Sequence, residues 1–381
     1  MRAGLLGRTL GHSLSPQIHK FFGDYEYRLH EREPEEVEAF LREGFGKGEF
    51  DFLNVTIPYK QTVFGLCDEL SPMARKLGNV NFVTRTAEGK MRGDNTDAYG
   101  VERLLDAVGA DVRGRKCAIL GAGGAALTAK AVLEERGAER VTLVRRGETP
   151  AQDDWLIVNA TPVGMFPHGD EARIPIRNYP NCRYVLDLVY NPSPTRLVKE
   201  ARACGKVAAD GMVMLIAQAY RAAKLGGAET RTPFLFLYGP PASGKSTLAR
   251  KIAAATGWTC VDLDAEIVKA AGRSIPEIFA AEGEAGFRKI ERECLEAICA
   301  NGDGETRVVA LGGGALLDPA CRKIAEEAGR VVVLDCPIET LKARLTAADR
   351  PLSADVAKLE ALVAARRAHY QAFGISCSLE S

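Results

Sequence analysis

Two glycine-rich turns in this 381-residue chain have the spacing needed to grip phosphate. The first, Gly121-Ala122-Gly123-Gly124-Ala125-Ala126, lies between an apolar run at 116–120 and a helical pattern at 127–136. Gly121 allows the tight turn, Gly123 lets a pyrophosphate approach the backbone, and Ala126 lets helix and strand pack closely. Gly124 and Ala125 complete the cradle at the helix N-terminus. Alone the motif is weak, but the strand before it, the helix after it and a further strand at 141–144 strengthen it. That further strand ends in Arg145-Arg146-Gly147, where an NAD site would place an acid for the ribose 2′-hydroxyl. Two guanidiniums suit a 2′-phosphate, so NADPH is the expected dinucleotide, against NAD or a merely solvated basic turn. The second turn, Gly239-Pro240-Pro241-Ala242-Ser243-Gly244-Lys245-Ser246-Thr247, is a strong ATP signal. Its backbone, through Gly239, Ser243, Gly244 and Thr247, cradles phosphates; Lys245 reaches the β and γ groups, and Ser246 ligates Mg²⁺.

Both turns need a parallel sheet to present them. Short β-branched runs alternate with amphipathic stretches, which is the α/β pattern. Strands are expected at 117–120, 141–144, 156–160 and 184–189, and again at 234–238, 259–261, 308–311 and 331–334. Between the two groups, the polar, glycine-rich stretch 226–233 reads as a linker. The halves share no repeat, so the chain reads as a fusion rather than a duplication. Fifty basic residues balance fifty acidic ones, so there is no global field to recruit nucleic acid or an anionic membrane. Ten cysteines are scattered without a CxxC pair, which fits free thiols in a reducing cytoplasm. No signal peptide or apolar span is evident, so a cytoplasmic location is expected. An oligomer is permitted but not specified.

Seven segments in order over residues 1 to about 228 resemble shikimate dehydrogenase. They are Gly11-His12-Ser13-Leu14-Ser15-Pro16, Asn54-Val55-Thr56-Ile57-Pro58-Tyr59-Lys60, Asn79-Val80-Asn81, Gly93-Asp94-Asn95-Thr96-Asp97, Asn159-Ala160-Thr161-Pro162-Val163-Gly164-Met165, Asp187-Leu188-Val189-Tyr190-Asn191-Pro192 and the stretch 211–218. The resemblance implies reduction of 3-dehydroshikimate, with Lys60 protonating the carbonyl oxygen and Asp97 orienting the amine. Ser13 and Ser15, two apart on an extended turn, then donate to the substrate carboxylate. Thr56, Asn81 and Gln218 hold ring hydroxyls beside Tyr190, and Gly211 lies at the cofactor. His12 and His19 are expected to be structural.

From 234 to about 373 the chain resembles shikimate kinase. The resemblance rests on the phosphate turn, Val261-Asp262-Leu263-Asp264, Ile275-Pro276-Glu277-Ile278-Phe279, Gly283-Glu284-Ala285-Gly286-Phe287-Arg288-Lys289-Ile290-Glu291, Ala310-Leu311-Gly312-Gly313-Gly314, Asp349-Arg350-Pro351-Leu352, and Arg366 four residues before Tyr370. It implies that Asp264 orients the acceptor hydroxyl and that Arg288 and Arg366 fork the shikimate carboxylate. Gly312, Gly313 and Gly314 admit the ring, Asp262 reaches the Mg²⁺ shell, and Arg350 closes over ATP in a mobile stretch. Arg367 reads as solvated.

The chain departs from each family once. Only eleven residues, 145–155, separate two strands where relatives carry a further helix and strand. After Tyr370, the strand and closing helix usual in the kinases are not expected, leaving weaker ATP binding, cover from the other domain or an impaired kinase domain. The fold class is therefore α/β throughout: a substrate domain at 1–98 completed by 207–225, a trimmed Rossmann domain at 99–206, and a short P-loop domain at 234–381. The function implied is NADPH-dependent formation of shikimate and its ATP-dependent phosphorylation. The alternatives are an NAD-dependent quinate/shikimate dehydrogenase, or one half degenerate and acting as a binding or regulatory module.

Overall fold

The computed structural model describes residues 1–228, 233–300, 304–346 and 356–379. The chain divides into two compact units, with the boundary between residues 228 and 233. The first unit holds two sheets.

Its first sheet contains β1 (Arg2–Gly7), β2 (Glu26–Glu31), β3 (Phe52–Val55), β4 (Glu69–Leu70), β5 (Phe82–Arg85) and β6 (Met91–Asp94), in the order β2-β1-β3-β5-β6-β4. The sheet is mixed: β1 runs parallel to β2 and β3, whereas β3, β5 and β6 pair antiparallel. The second sheet is wholly parallel, with β7 (Lys116–Leu120), β8 (Arg140–Val144), β9 (Leu156–Asn159), β10 (Tyr184–Asp187) and β11 (Val207–Ala209) in the order β11-β10-β9-β7-β8. Every residue of β9 and β10 is buried, which explains their uninterrupted apolar character in the sequence. The helices Asp97–Val108 and Met212–Leu225 pack against each other beside the sheets. Their backbones come so close at Gly100 that a β-carbon there would lie 2.8 Å from the Met214 carbonyl oxygen.

The connection 145–155 contains no helix, as its length and Pro150 lead one to expect. It carries the chain from β8 across to β9, which lie on opposite sides of β7. Asp154, 1% exposed, pins it: Oδ2 accepts the Ala151 amide at 2.9 Å, and Oδ1 accepts from Arg140 Nη2 at 3.0 Å.

The second unit is one parallel sheet of β12 (Phe234–Tyr238), β13 (Thr259–Asp262), β14 (Arg307–Ala310), β15 (Gly329–Leu334) and β16 (Ser376–Cys377), ordered β13-β14-β12-β15-β16. Its core joins Phe236, Leu263, Ile267, Leu295 and Val309. Here the structure corrects the sequence reading. A strand does follow the helix Val356–Gln371, because β16 pairs with Val333 and Leu334 of β15. Two residues are too few to show alternation, so only the pairing reveals it. The helical stretch Ile275–Ala300 is broken at Gly283, whose φ of +67° only glycine adopts readily.

Asp154→Ala removes a buried acceptor that satisfies both an amide and a guanidinium. It is expected to destabilise the first unit by about 1–3 kcal/mol, and more than Arg140→Ala does, since Arg140 is 40% exposed. Denaturant unfolding of the full chain, followed at Trp155, checks the order.

Candidate functional site

In the first unit, Lys60 begins the helix Lys60–Leu66 and Asp97 begins the helix Asp97–Val108 just past β6. Nζ of Lys60 donates to Oδ2 of Asp97 at 2.6 Å, with side-chain exposures of 22% and 12%. This is a partly buried ammonium–carboxylate pair, dry enough for the two charges to feel each other yet not closed to solvent. Three of the expected polar residues stand nearby in sequence or through bonds. Asn81 accepts the Thr96 amide at 2.6 Å and donates to Thr96 Oγ1 at 3.1 Å. Thr96 Oγ1 donates in turn to Gln218 Oε1 at 3.5 Å, which ties the strands to the helix Met212–Leu225. Thr56 lies just beyond β3, its amide donating to the Leu6 carbonyl at 2.9 Å.

Ser13 and Ser15 do not sit on an extended turn. Leu14 is in the right-handed helical region and Ser15 opens the helix Ser15–His19, while Ser13 Oγ accepts the Ser15 amide at 3.2 Å. The Pro16 that follows favours that helical start. His19 is structural, as expected. Its ring is buried, stacked 4.0 Å from Tyr27, and burial pushes its pKa down to about 3. His12 lies with its ring 5.5 Å from that of Phe166. Tyr190 follows β10, and burial raises its phenol pKa.

The phosphate turn after β7 has the expected form. Gly121 adopts φ +112°, and a β-carbon there would lie 3.2 Å from the Ala160 carbonyl oxygen. Gly123 and Gly124 face open space, and no side chain caps the helix Gly124–Glu135, so its first amides are left to a ligand. Ala125 is half-buried within that first turn. Arg145 and Arg146 are exposed past β8, and the Arg145 amide donates to Glu148 Oε2 at 2.7 Å. Gly211 has a packing reason of its own: a β-carbon there would meet the Leu188 carbonyl oxygen at 2.3 Å.

In the second unit the loop after β12 turns through positive φ at Gly239 (+132°), Ala242 (+62°) and Gly244 (+91°). Lys245 heads the helix Lys245–Thr256, with Ser246 and Thr247 in the same turn. Its Nζ donates to the carbonyls of Gly239 at 2.9 Å and Pro240 at 2.7 Å. Burial pushes its pKa down to about 8, against the pull of Asp264 and Asp262. Ser243 is buried beneath it.

Beside the loop, the three glycines after β14 each meet a different partner. A β-carbon at Gly312 would lie 3.1 Å from Glu291 Oε1 and 3.4 Å from Asp264 Oδ1; at Gly313 it would meet Pro241 at 3.0 Å. At Gly314 it would lie 2.7 Å from an Arg288 Nη2 and 3.1 Å from an Arg366 Nη1. The structure therefore gathers Asp264, Arg288 and Arg366 around one glycine strand end. Asp262 caps its helix, Oδ1 accepting the Asp264 amide at 3.2 Å. Arg350 lies outside the described residues, and Arg367 is exposed.

Several residues were given no role by the sequence reading. Glu291 is 1% exposed and holds Arg288 Nη1 at 2.6 Å, with burial raising its pKa. Tyr370 Oη donates to the Gly313 carbonyl at 2.7 Å, beside Arg366 Nη1 at 3.1 Å. Arg344 reaches the Ser243 carbonyl at 3.1 Å. In the first unit, Asn95 Nδ2 donates to Asn79 Oδ1 at 2.6 Å, which fixes the turn before Asp97.

Fold and site together define a dinucleotide-dependent reductase joined to a P-loop phosphotransferase. Family models match at both ends: "Shikimate dehydrogenase substrate binding domain" over residues 5–83 and "Shikimate kinase" over 241–381. A shikimate dehydrogenase (NADP(+)) of Methanopyrus kandleri is 36% identical over 251 residues, covering 56% of this chain and 86% of the relative. Among solved structures, a shikimate 5-dehydrogenase of Thermus thermophilus in complex with NADP(H) and shikimate is 31% identical. That match has a TM-score of 0.54 and covers 59% of this chain and 93% of that one. A chorismate mutase/shikimate 5-dehydrogenase fusion from Clostridium acetobutylicum is also 31% identical, with a TM-score of 0.55 over 59% of this chain and 90% of that one. The chain belongs to the shikimate dehydrogenase family and carries a shikimate kinase domain at 241–381.

Gly314→Ala tests the second site. The added methyl must displace at least one of the two guanidiniums. Shikimate affinity is expected to fall about tenfold or more, as for losing a charge-assisted contact, while ATP affinity stays put. Calorimetric titration with each ligand separates the two.

Proposed function

We propose that this protein reduces 3-dehydroshikimate to shikimate with NADPH and phosphorylates shikimate with ATP. The observation that carries the reading is that both units offer the same ligand chemistry. Each carries a phosphate-binding turn together with residues suited to a small hydroxylated carboxylate. In the first unit, Lys60 delivers a proton to the carbonyl oxygen as the alcohol forms, and Asp97, 2.6 Å away, fixes the ammonium on that side. Ser13 and Ser15 bind the carboxylate; Thr56, Asn81, Gln218 and Tyr190 take the ring hydroxyls. NADPH supplies the hydride, and the turn Gly121–Ala125 with Arg145 and Arg146 fits its phosphates; Gly211 is assigned to the cofactor from the family resemblance.

In the second unit, Asp264 orients the acceptor hydroxyl and takes its proton, and Arg288 and Arg366 hold the carboxylate over Gly312, Gly313 and Gly314. Lys245 balances charge on the transferring phosphoryl group. Arg350 is assigned to the same task from its sequence context. Ser246 and Asp262 are hard oxygen donors that fit Mg²⁺, an ion usually held by few protein ligands plus nucleotide phosphates. Mg²⁺ would neutralise phosphate charge there. Among the described residues no helix is long and apolar enough to cross a membrane, and a cytoplasmic setting agrees with ten cysteines that form no disulfide.

Paired variants test the division of labour. Lys60→Ala is expected to cut ketone reduction by about a hundredfold or more and leave shikimate phosphorylation intact, and Asp264→Asn the reverse. Loss of both activities in either folded variant overturns the assignment of separate sites.

A pH series tests Lys245. Its pKa in the free protein is lowered to about 8, so the charged form that attracts phosphate prevails below that pH. ATP affinity is expected to weaken as pH rises through this value, by at most about tenfold per unit for one proton. Lys245→Met is expected to bind weakly at every pH, without that break.

A further inference from the structure

Three arginines belong to the turn that follows β8 or reach its backbone. Arg145 and Arg146 are the first two residues past the strand. Arg173 arrives from the segment between β9 and β10, and its Nη2 donates to the Arg145 carbonyl at 3.0 Å. Among the described residues, none of the three has a carboxylate within ion-pair distance. The adjacent acid, Glu148, is engaged on the Arg145 amide at 2.7 Å. On the same strand Arg140, by contrast, is paired with Asp153 and Asp154. Three unpaired cationic side chains attached to or held at one turn favour an anion bound among them.

Position identifies the anion. Strand β8 lies beside β7 with Val144 opposite Leu120, and the Gly121 amide donates to the Val144 carbonyl at 2.9 Å. The arginine turn is therefore next to the pyrophosphate turn, where the adenosine ribose of a bound dinucleotide lies. We infer that Arg173 is the third arm of a 2′-phosphate clamp and helps determine selection of NADPH over NADH.

The bond to the Arg145 carbonyl uses one of the five N–H donors of the guanidinium and orients the rest. The trimmed connection gives this role its reason. With no helix in 145–155, that segment brings no helix N-terminus to the phosphate, and the missing donors come from a distant part of the chain. This inference rests on the NADPH reading above and is separable from it.

The test measures dissociation constants for NADPH and NADH by fluorescence titration of the full chain, in wild type, Arg173→Ala, Arg173→Gln and Arg146→Ala. In Arg173→Ala, NADPH affinity is expected to fall about ten- to a hundredfold, while NADH affinity moves far less. Arg173→Gln, which keeps a donor for the Arg145 carbonyl but no charge, is expected to lose selectivity likewise. Equal loss of both cofactors in Arg173→Ala, restored in Arg173→Gln, makes Arg173 only a structural pin and overturns the inference. Selectivity that collapses in Arg146→Ala but survives in Arg173→Ala overturns it while leaving the NADPH reading standing. A wild type without preference for NADPH overturns both.

Discussion

A strand buried on both faces has no place for a polar side chain, so chemistry in a parallel sheet begins where the strand stops. Several groups of the two candidate sites obey that constraint. Gly121 follows β7, Arg145 follows β8, Gly239 follows β12, Asp262 ends β13 and Gly312 lies two residues past β14. Helix N-termini then face the same edge, so backbone amides and side chains converge without any net charge on the chain. The buried carboxylate of Asp187 shows the same rule from beneath. It ends β10, and its oxygens accept from Asn159, Val189 and Thr195, bracing the loops that rise from two neighbouring strands. Burial raises its pKa to about 6 even against those three donors, a measure of how dry that edge is below the surface.

What the sequence disclosed was whatever backbone geometry compels. Glycines at Gly121, Gly239 and Gly244 are needed because φ is positive there, and Lys245 directly follows Gly244 at the head of its helix. Such demands fix spacing along the chain, and spacing is visible in a string of letters. The Asn81–Thr96–Gln218 network is different, because its members lie 15 and 122 residues apart and an amide carries no periodicity. The role of Glu291 was hidden for another reason. An Arg288–Glu291 pair at i,i+3 reads as a solvated helix face, and only its burial to 1% shows that it braces the site. The antiparallel pairing in the first sheet and the two-residue β16 likewise depend on long-range hydrogen bonds.

The shortened connection was legible as a count of eleven residues, but its consequence was not. Losing a helix from a parallel crossover leaves a loop that must be held by other means. Asp154 supplies them by turning inward, satisfying Ala151 and Arg140 at once. The neighbouring Asp153 pairs Arg140 with Lys116 on the exposed side. A short polar clamp thus replaces the packing a helix would provide, and it does so on the side of the sheet away from the phosphate turn, near the start of β7.

The two units grip the proposed carboxylate by different means, and the difference follows from the charge each reaction creates. Reduction turns a neutral ketone into an alcohol beside the Lys60 ammonium, so the distant carboxylate needs only neutral hydroxyl donors such as Ser13 and Ser15. Phosphoryl transfer brings the same carboxylate close to a highly charged nucleotide, and the repulsion grows as the ligand enters a dry site. Neutral donors are worth too little there; guanidinium forks give charge as well as hydrogen bonds. Arg288 and Arg366 provide that charge, and Glu291 limits it by pairing with Arg288 below the glycines. In the proposed reading, Lys245 serves the phosphates, while the arginines beside Gly314 serve the acid. One small ligand, met twice in one chain, calls for two electrostatic solutions because its neighbours differ.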